Sequence, residues 1–337
     1  MAKKRMPAEW EKQAFVQLVF PHQKTDWAPY LEDAIVNFVN IAKAIQQFQP
    51  CLIVAQNLKE VKALFEDKTN LMFVQAKNND TWSRDFGGIT IQEGKKSTIL
   101  NFSFNAWGGK FAFNEDNQIT QKLYKKGFFE GYGLKTYNFV LEGGAIESDG
   151  NGVIMTTSNC LLEPNRNPQF SKKEITRTLK EYLGAQKVLW LNHGFLAGDD
   201  TDAHIDTLAR FANENTIIYQ GCDDKNDEHY KAFKKMKKQL RTFKNVDGKL
   251  YKLVELPWIE AKIFDDERLP ATYANFLIIN GAVLVPTYND KNDKKALEVF
   301  KEVFKKEEII PIDCSTLIKQ HGSLHCVTMQ YPVLKGM

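Results

Sequence analysis

Tyr273–Asn289, YANFLIINGAVLVPTYN, decides the fold class: two short apolar runs rich in branched residues meet at Asn280-Gly281. Asn-Gly between such runs is a strong hairpin signal, because both residues tolerate the left-handed backbone of a tight turn. The pattern recurs upstream. Ala145–Thr157, AIESDGNGVIMTT, bends at Asp149-Gly150, and Thr207–Gln220, TLARFANENTIIYQ, bends at Asn213-Glu214-Asn215. Helical periodicity alternates with these hairpins. Ile35, Phe38, Val39, Ala42 and Ile45 repeat at helical spacing, as do Phe233, Met236, Leu240 and Phe243. The same spacing is found around Leu123, within Lys173–Ala185, and at Leu297, Phe300, Val303 and Phe304. Most of these helices are followed by a β-branched or aromatic run, beginning at Cys51, Lys135, Lys187, Tyr251 and Glu307, and each run predicts a buried strand. A unit of helix, strand and hairpin thus repeats about five times at roughly 55 to 90 residues, the spacing of a propeller or other repeat array. No Pro/Ser-rich linker divides the chain, so residues 1–337 are expected to form a single α/β domain.

Composition excludes several classes of function. The 337 residues carry 45 Lys plus Arg against 42 Asp plus Glu, a net charge of +3. Such a balance lacks the clustered basic footprint of a nucleic-acid or membrane-surface protein. With 43% hydrophobic residues the chain can bury a full core. The basic start, MAKKRMPAEWEK, is not followed by the apolar segment of a signal peptide, and the longest apolar stretch, Phe276–Pro286, is too short to span a bilayer. The five cysteines include no CxxC pair. Reduced thiols and a cytoplasmic location are therefore expected.

Four segments concentrate polar residues that a purely structural chain has little reason to collect: NDTWSRDFGG, LEGGAIESDG, GDDTDAHIDTLARF and HGSLHCVTMQYP. Each falls at a strand end in a different repeat. In a propeller-like array such ends converge on the axis, so the four predict one shared pocket. Cys326 is the candidate nucleophile. Taken alone it reads as a small buried thiol, and a nucleophilic role requires a base and a source of positive potential. If Gly322–Met329 is extended, His325 points to the opposite face from Cys326, leaving His204 as the better partner. Asp206 would share a face with His204 in an extended segment, where it could orient the imidazole and raise its pKa. A rival reading makes Asp199, Asp200, Asp202, His204 and Asp206 a hard-ligand site for Mg or Mn. Trp82 and Asp85 lie together in TWSRDFGG, and Glu142 precedes a glycine bend. Carboxylates beside an aromatic face and a thiol suit a planar cation, and guanidinium accepts both bidentate pairing and stacking.

At these residues the chain resembles the agmatine deiminase family, which includes the bacterial-type peptidylarginine deiminases. Five segments carry the resemblance in order: MPAEWE at Met6, TWSRDFGG at Thr81, LEGGAIESDG at Leu141, DDTDAHIDTLARF at Asp199 and GSLHCVTMQYP at Gly322. The resemblance implies the pentein fold, a five-bladed pseudo-symmetric α/β propeller of ββαβ-type units. It implies Cys326 as nucleophile and His204 as general acid/base, with Asp85, Glu142 and Asp206 binding and orienting a guanidinium and Trp82 lining the pocket. It further implies hydrolysis of agmatine to N-carbamoylputrescine and ammonia in polyamine metabolism, no metal or organic cofactor, and a homodimer or higher assembly. The departures from the family pattern are Gly87-Gly88 where Gly-Pro is usual, Ala203 where Gly is common, and His321-Gly322-Ser323 in place of a glycine run. These alter loops and remove no reactive group. The rival substrates are free and peptidyl arginine, whose carboxylate or carbonyl calls for an Arg or a backbone donor at the pocket mouth, with Arg84, Arg166 and Arg210 as candidates. Amidino transfer and a non-catalytic scaffold binding a cation complete the alternatives.

Overall fold

The computed structural model describes residues 3–334; the first two residues of the basic start and Lys335–Met337 lie outside them. Five ββαβ units follow one another. In each, two strands pair antiparallel, a helix crosses over, and another strand returns parallel to the second. The first unit pairs Ile89–Glu93, Lys96–Ser103 and Gly133–Val140, with Ile119–Lys125 within the crossover. Ile146–Ser148, Val153–Thr157 and Lys187–Leu191 make the second, crossing through Lys172–Leu183. The third comprises Ala209–Asn213, Thr216–Gln220 and Lys252–Leu256 around helix Tyr230–Leu240. Leu277–Ile279, Ala282–Thr287 and Glu308–Asp313, with helix Asp293–Val303, form the fourth.

The fifth unit joins the two ends of the described chain. Thr328–Pro332 pairs antiparallel with Gln13–Val19, which runs parallel to Cys51–Ala55 and, beyond it, Leu71–Gln75. Residues far apart in sequence are thereby fixed beside one another. A sheet that needs both ends is registered only when the whole domain has folded.

Local chemistry sets the crossovers. Helix Lys172–Leu183 opens on a capping box, Ser171 with Glu174, and ends on Gly184 in the left-handed conformation, φ 73°. Its buried positions are Ile175, Leu179 and Leu183, the face its periodicity predicts. The strands after the helices depart from expectation. Of the five expected to be buried, only Cys51–Ala55 is buried throughout; Gly133–Val140, Lys252–Leu256 and Glu308–Asp313 are largely exposed or half-buried. The reason is position. Cys51–Ala55 has a neighbour on each edge, whereas the other three pair on one edge only. Among the described residues no helix is long and apolar enough to cross a membrane.

Candidate active site

The site is built where the units meet their connections. Asp85 lies in the helical turn Ser83–Phe86, directly before the first unit. Glu142 precedes the 3-10 turn Gly143–Ala145 that enters the second, and His204 precedes the 3-10 turn Ile205–Thr207 that enters the third. Cys326 stands in the turn just before Thr328–Pro332. Gly144 is the point on which the side chains of Asp85, His204 and Asp206 converge. Its amide donates to Asp85 Oδ1 at 3.1 Å. A methyl group added there would stand 2.6 Å from His204 Nδ1, 2.9 Å from Asp85 Oδ1 and 3.1 Å from Asp206 Oδ2. Only glycine leaves room for that convergence.

Several buried polar atoms at this point have no hydrogen-bond partner among the described residues: Glu142 Oε2, both ring nitrogens of His204, and Asp206 Oδ1. His204 Nδ1 is 3.6 Å from Asp85 Oδ1, beyond hydrogen-bond length. Buried polar groups are ordinarily paired, and leaving one unpaired costs about 1–3 kcal/mol. A cluster of orphaned acceptors is therefore the imprint of a donor-rich ligand, and guanidinium offers five N–H donors in one plane.

Above the cluster lies a cavity of about 170 Å³, lined by Trp82, Asp85, Trp107 and Cys326 among others. Asp26, Asp80 and Asp200 add three more carboxylates to its wall, and exposed Phe111 marks its outer end. The cavity adjoins an outer chamber of about 240 Å³ that shares Asp26, Asp80, Trp82, Trp107 and Phe111. Trp82 is held by its indole N–H, which donates to Asp80 Oδ2 at 2.9 Å. A Cβ at Gly322 would fall 2.2 Å from the Trp82 ring, so glycine is needed for the backbone to pass it.

The protein's own electrostatics at the site disfavour charge. Burial pushes the Cys326 thiol well above the ordinary range, and the carboxylates of Asp206 and Asp85 add to the effect. Burial likewise drives His204 well below the usual imidazole range, assisted by the positive charges of Arg166 and Lys110. Asp85 is raised to about 7 by burial and by neighbouring Glu142, against hydrogen bonds from Trp107 and Gly144 that favour the anion. Asp206 is pushed well above its ordinary value by burial and by Asp85. The free site is thus a neutral thiol and a neutral imidazole among carboxyls that share too little positive charge.

Behind these groups lies a second set, built on three cations, Arg84, Arg166 and Arg210, and their carboxylates. Arg166 binds Glu142 Oε1 through Nε at 2.8 Å and Asp202 Oδ2 through Nη1 at 2.7 Å. Arg210 reaches Glu147 Oε1 at 2.5 Å and Glu9 Oε2 at 2.7 Å, with its guanidinium 4.5 Å from the centre of the Phe276 ring. His325 connects the two sets: Nδ1 is 2.7 Å from Asp206 Oδ2 and Nε2 is 2.8 Å from Glu9 Oε2.

Some sequence expectations are corrected here. Asp206 does not orient His204, because Ile205–Thr207 is a 3-10 turn and alternate residues of a turn do not share a face. Its partner is His325 instead. The expected rise in the His204 pKa is a fall, since burial outweighs the nearby acids. Residues 322–327 form a loop and turn, not a strand, although the His325 ring still points to other partners. The proposed hard-ligand set disperses: Asp199 accepts from Thr201 and Ala203, Asp202 from Arg166 and Lys110, and Asp206 pairs with His325. None of Arg84, Arg166 and Arg210 lines the cavity; all three are buried in ion pairs. Trp107 went unread in the sequence. It donates from Nε1 to Asp85 Oδ2 at 3.0 Å, from a backbone in which Ala106, Trp107, Gly108 and Gly109 all have positive φ. The signal available was Asn105-Ala-Trp-Gly-Gly, a capping residue followed by paired glycines.

A buried thiol beside orphaned carboxylates and an imidazole, on five ββαβ units, defines an enzyme of the pentein class that acts on guanidino compounds. The sequence profile of the Porphyromonas-type peptidyl-arginine deiminases matches residues 5–332, and the chain belongs to that family. It is similar to a crystal structure named "Putative Arginine Deiminase from Porphyromonas gingivalis", with 50% identity, a TM-score of 0.94 and 98% of each chain covered. It is also similar to a C. jejuni agmatine deiminase solved as a C315S variant with substrate bound, at 40% identity and TM-score 0.92, covering 97% of this chain and 96% of that one. Agmatine deiminase of Pseudomonas aeruginosa is 30% identical over 97% of this chain and 95% of its own length.

Proposed function

We propose that this protein hydrolyses the guanidine of agmatine to N-carbamoylputrescine and ammonia. The observation that carries the choice of agmatine is the charge of the cavity wall. Asp26, Asp80, Asp85 and Asp200 line it, and among the described residues no Lys or Arg does; Lys24 lines the outer chamber alone. A substrate with a cation at each end fits such a wall. The carboxylate of free arginine would meet four acids there and, among the described residues, no Lys or Arg to pair with. Agmatine deiminases among the similar proteins support the same reading, and a role in polyamine metabolism and a cytoplasmic location are part of the proposal. A homodimer is the assembly the family resemblance implies, to be measured by light scattering.

The roles assigned follow from what each group can do. Asp85, Glu142 and Asp206 accept the guanidinium N–H groups and fix its plane, while Trp82 and Trp107 line the pocket beside it. The cation's arrival supplies the positive charge that the empty site lacks. Cys326 then passes its proton to His204, and the thiolate adds to the central carbon. His204 returns the proton to a departing nitrogen, which leaves as ammonia, and a thiouronium on Sγ remains. A water, deprotonated by His204, adds to that carbon. Collapse breaks the C–S bond, restores the Cys326 thiol and releases the ureido product.

The test is ammonia release with mass analysis of the product from agmatine, arginine and an arginyl peptide side by side, with chelator present. Turnover of agmatine alone supports the proposal. Turnover of arginine or peptide in its place keeps the chemistry and overturns the substrate. Failure of all three, together with no preference of Cys326 for 2-chloroacetamidine over iodoacetamide, would leave a scaffold.

A further inference from the structure

We propose that Asp206, His325 and Glu9 form a proton relay that keeps Asp206 neutral in the empty site and ionises it when a guanidinium binds. The inference rests on the reading of this cavity as a guanidinium site and assigns His325 and Glu9 as positioning residues within it.

The geometry poses a donor problem. A neutral imidazole has one N–H, yet both His325 nitrogens lie within hydrogen-bond length of a carboxylate oxygen, 2.7 Å to Asp206 and 2.8 Å to Glu9. Two ionised carboxylates cannot both be served by one N–H. The trio therefore holds a second proton. Glu9 is not its seat, because Glu9 Oε2 also takes Arg210 Nη2 at 2.7 Å and lies 3.7 Å from Arg84 Nη2. Burial alone would raise Glu9, but Arg210, His325 and Arg84 together hold it well below the carboxylate range. The second proton belongs to Asp206 Oδ2 or to His325 Nδ1.

Charge balance makes the two positions interchangeable. The groups facing His325 are Arg84, Arg210, Glu9, Glu147, Asp206 and, on the cavity side, His204. The two arginines offset Glu9 and Glu147. Asp206 and His325 then sum to zero either as acid and imidazole or as carboxylate and imidazolium. Burial, with Arg210 and Arg84, favours neutral His325 in the empty site, and burial with Asp85 favours neutral Asp206. A bound guanidinium reverses this preference. The O–H bond at Asp206 Oδ2 breaks and an N–H bond forms at His325 Nδ1, while the proton already on Nε2 stays directed at Glu9. No proton leaves the protein. Asp206 becomes a carboxylate, and Oδ1, which has no partner now, becomes a full acceptor for the ligand. Asn275 holds the geometry by accepting the His325 backbone N–H on Oδ1 at 2.8 Å.

The experiment counts protons. Agmatine is titrated calorimetrically into the Cys326→Ser chain at about pH 8.5, above the Asp85 titration, in two buffers of different ionisation enthalpy, with and without His325→Gln. With His325 present, binding should release almost no proton and vary little with pH. In the double variant, release should approach about one proton per site, and affinity should rise up to about tenfold per pH unit while Asp206 titrates. Equal proton counts in the two chains would overturn the relay. If agmatine does not bind, the activity reading fails separately, and the relay is scored by the pH profile of Cys326 labelling with 2-chloroacetamidine. Glu9→Gln, which preserves shape, is the second variant in case His325→Gln fails to fold. An inflection displaced by about one unit or more in either variant supports the relay, and coincident profiles in both exclude it.

Discussion

Two charged regions meet at Asp206, and they are built on opposite principles. On the rear side, Glu9, Glu147 and Arg210 are buried in ion pairs, and Arg210 carries three hydrogen-bonded partners and an aromatic face, while Arg84 Nη2 stands 3.7 Å from Glu9 without a hydrogen bond among the described residues. On the cavity side, Glu142, His204 and Asp206 each keep at least one buried polar atom unpartnered. The same burial therefore has two meanings. The Glu9, Glu147 and Arg210 set holds the fold, because each of these charges removed from water has protein partners in its place. An unsaturated one stores an unmet demand for donors, which only a ligand of the right shape can fill.

The comparison fails if the two sides respond alike to substitution. The largest contrast is expected at Cys326. Serine there should lower turnover by at least about 10⁴-fold, since its hydroxyl is a far weaker nucleophile, while agmatine still binds the intact carboxylates. Activity near the wild-type level would sink the assigned mechanism. Arg210→Met tests the rear. It leaves Glu9 and Glu147 without their shared counter-ion, which should destabilise the fold by about 3–5 kcal/mol, read from denaturant melts. A loss under about 1 kcal/mol would mean that the cluster is not structural.

Glu142→Gln should do the reverse. The amide oxygen can keep the Arg166 contact made by Oε1, and Oε2 has no partner to lose. Stability should hold while kcat falls about 10²–10³-fold, the range for removing one preorganised charge contact. Equal damage to stability and rate would erase the distinction between the two sides.

How much of this was legible in the sequence follows from the range of each signal. Three hairpins and the crossover helices are short-range patterns, and Asn280-Gly281 or Ile175, Leu179 and Leu183 announce them locally. The fifth sheet is different. Thr328–Pro332 finds Gln13–Val19 only because four units bring the ends together, and no local rule encodes that pairing. The strand-burial error has the same origin, since whether a strand has one neighbour or two is a property of the whole sheet. In the site, residue types pointed to Trp82, Asp85, Glu142, His204, Asp206 and Cys326; Trp82, Asp85 and Cys326 line the cavity, whereas Glu142, His204 and Asp206 do not, His204 and Asp206 converging with Asp85 on Gly144. The partnerships were not legible. Asp206 pairs with His325 and not His204 because a turn, not a strand, joins them. Glu9 reaches the site from near the start of the chain, where MPAEWE gave a motif without a partner.

The finest test concerns the boundary of the unsaturated side, where Asp85 is held at about 7 by burial and Glu142 against the Trp107 indole and the Gly144 amide. A carboxyl with a raised pKa binds its proton more tightly folded than unfolded. Its contribution to stability is therefore fully present below about pH 4 and declines as pH rises toward 7, whereas its use as a guanidinium acceptor grows over the upper part of that window. For the free enzyme, kcat/KM should climb up to tenfold per unit below about pH 7 and level above it. Trp107→Phe removes a hydrogen bond that favours the Asp85 anion and keeps an aromatic ring. The inflection should move upward by up to about one unit, with a small change in the plateau. A pH profile left in place by that substitution would mean that another group sets the inflection, and that Trp107 serves the cavity wall alone.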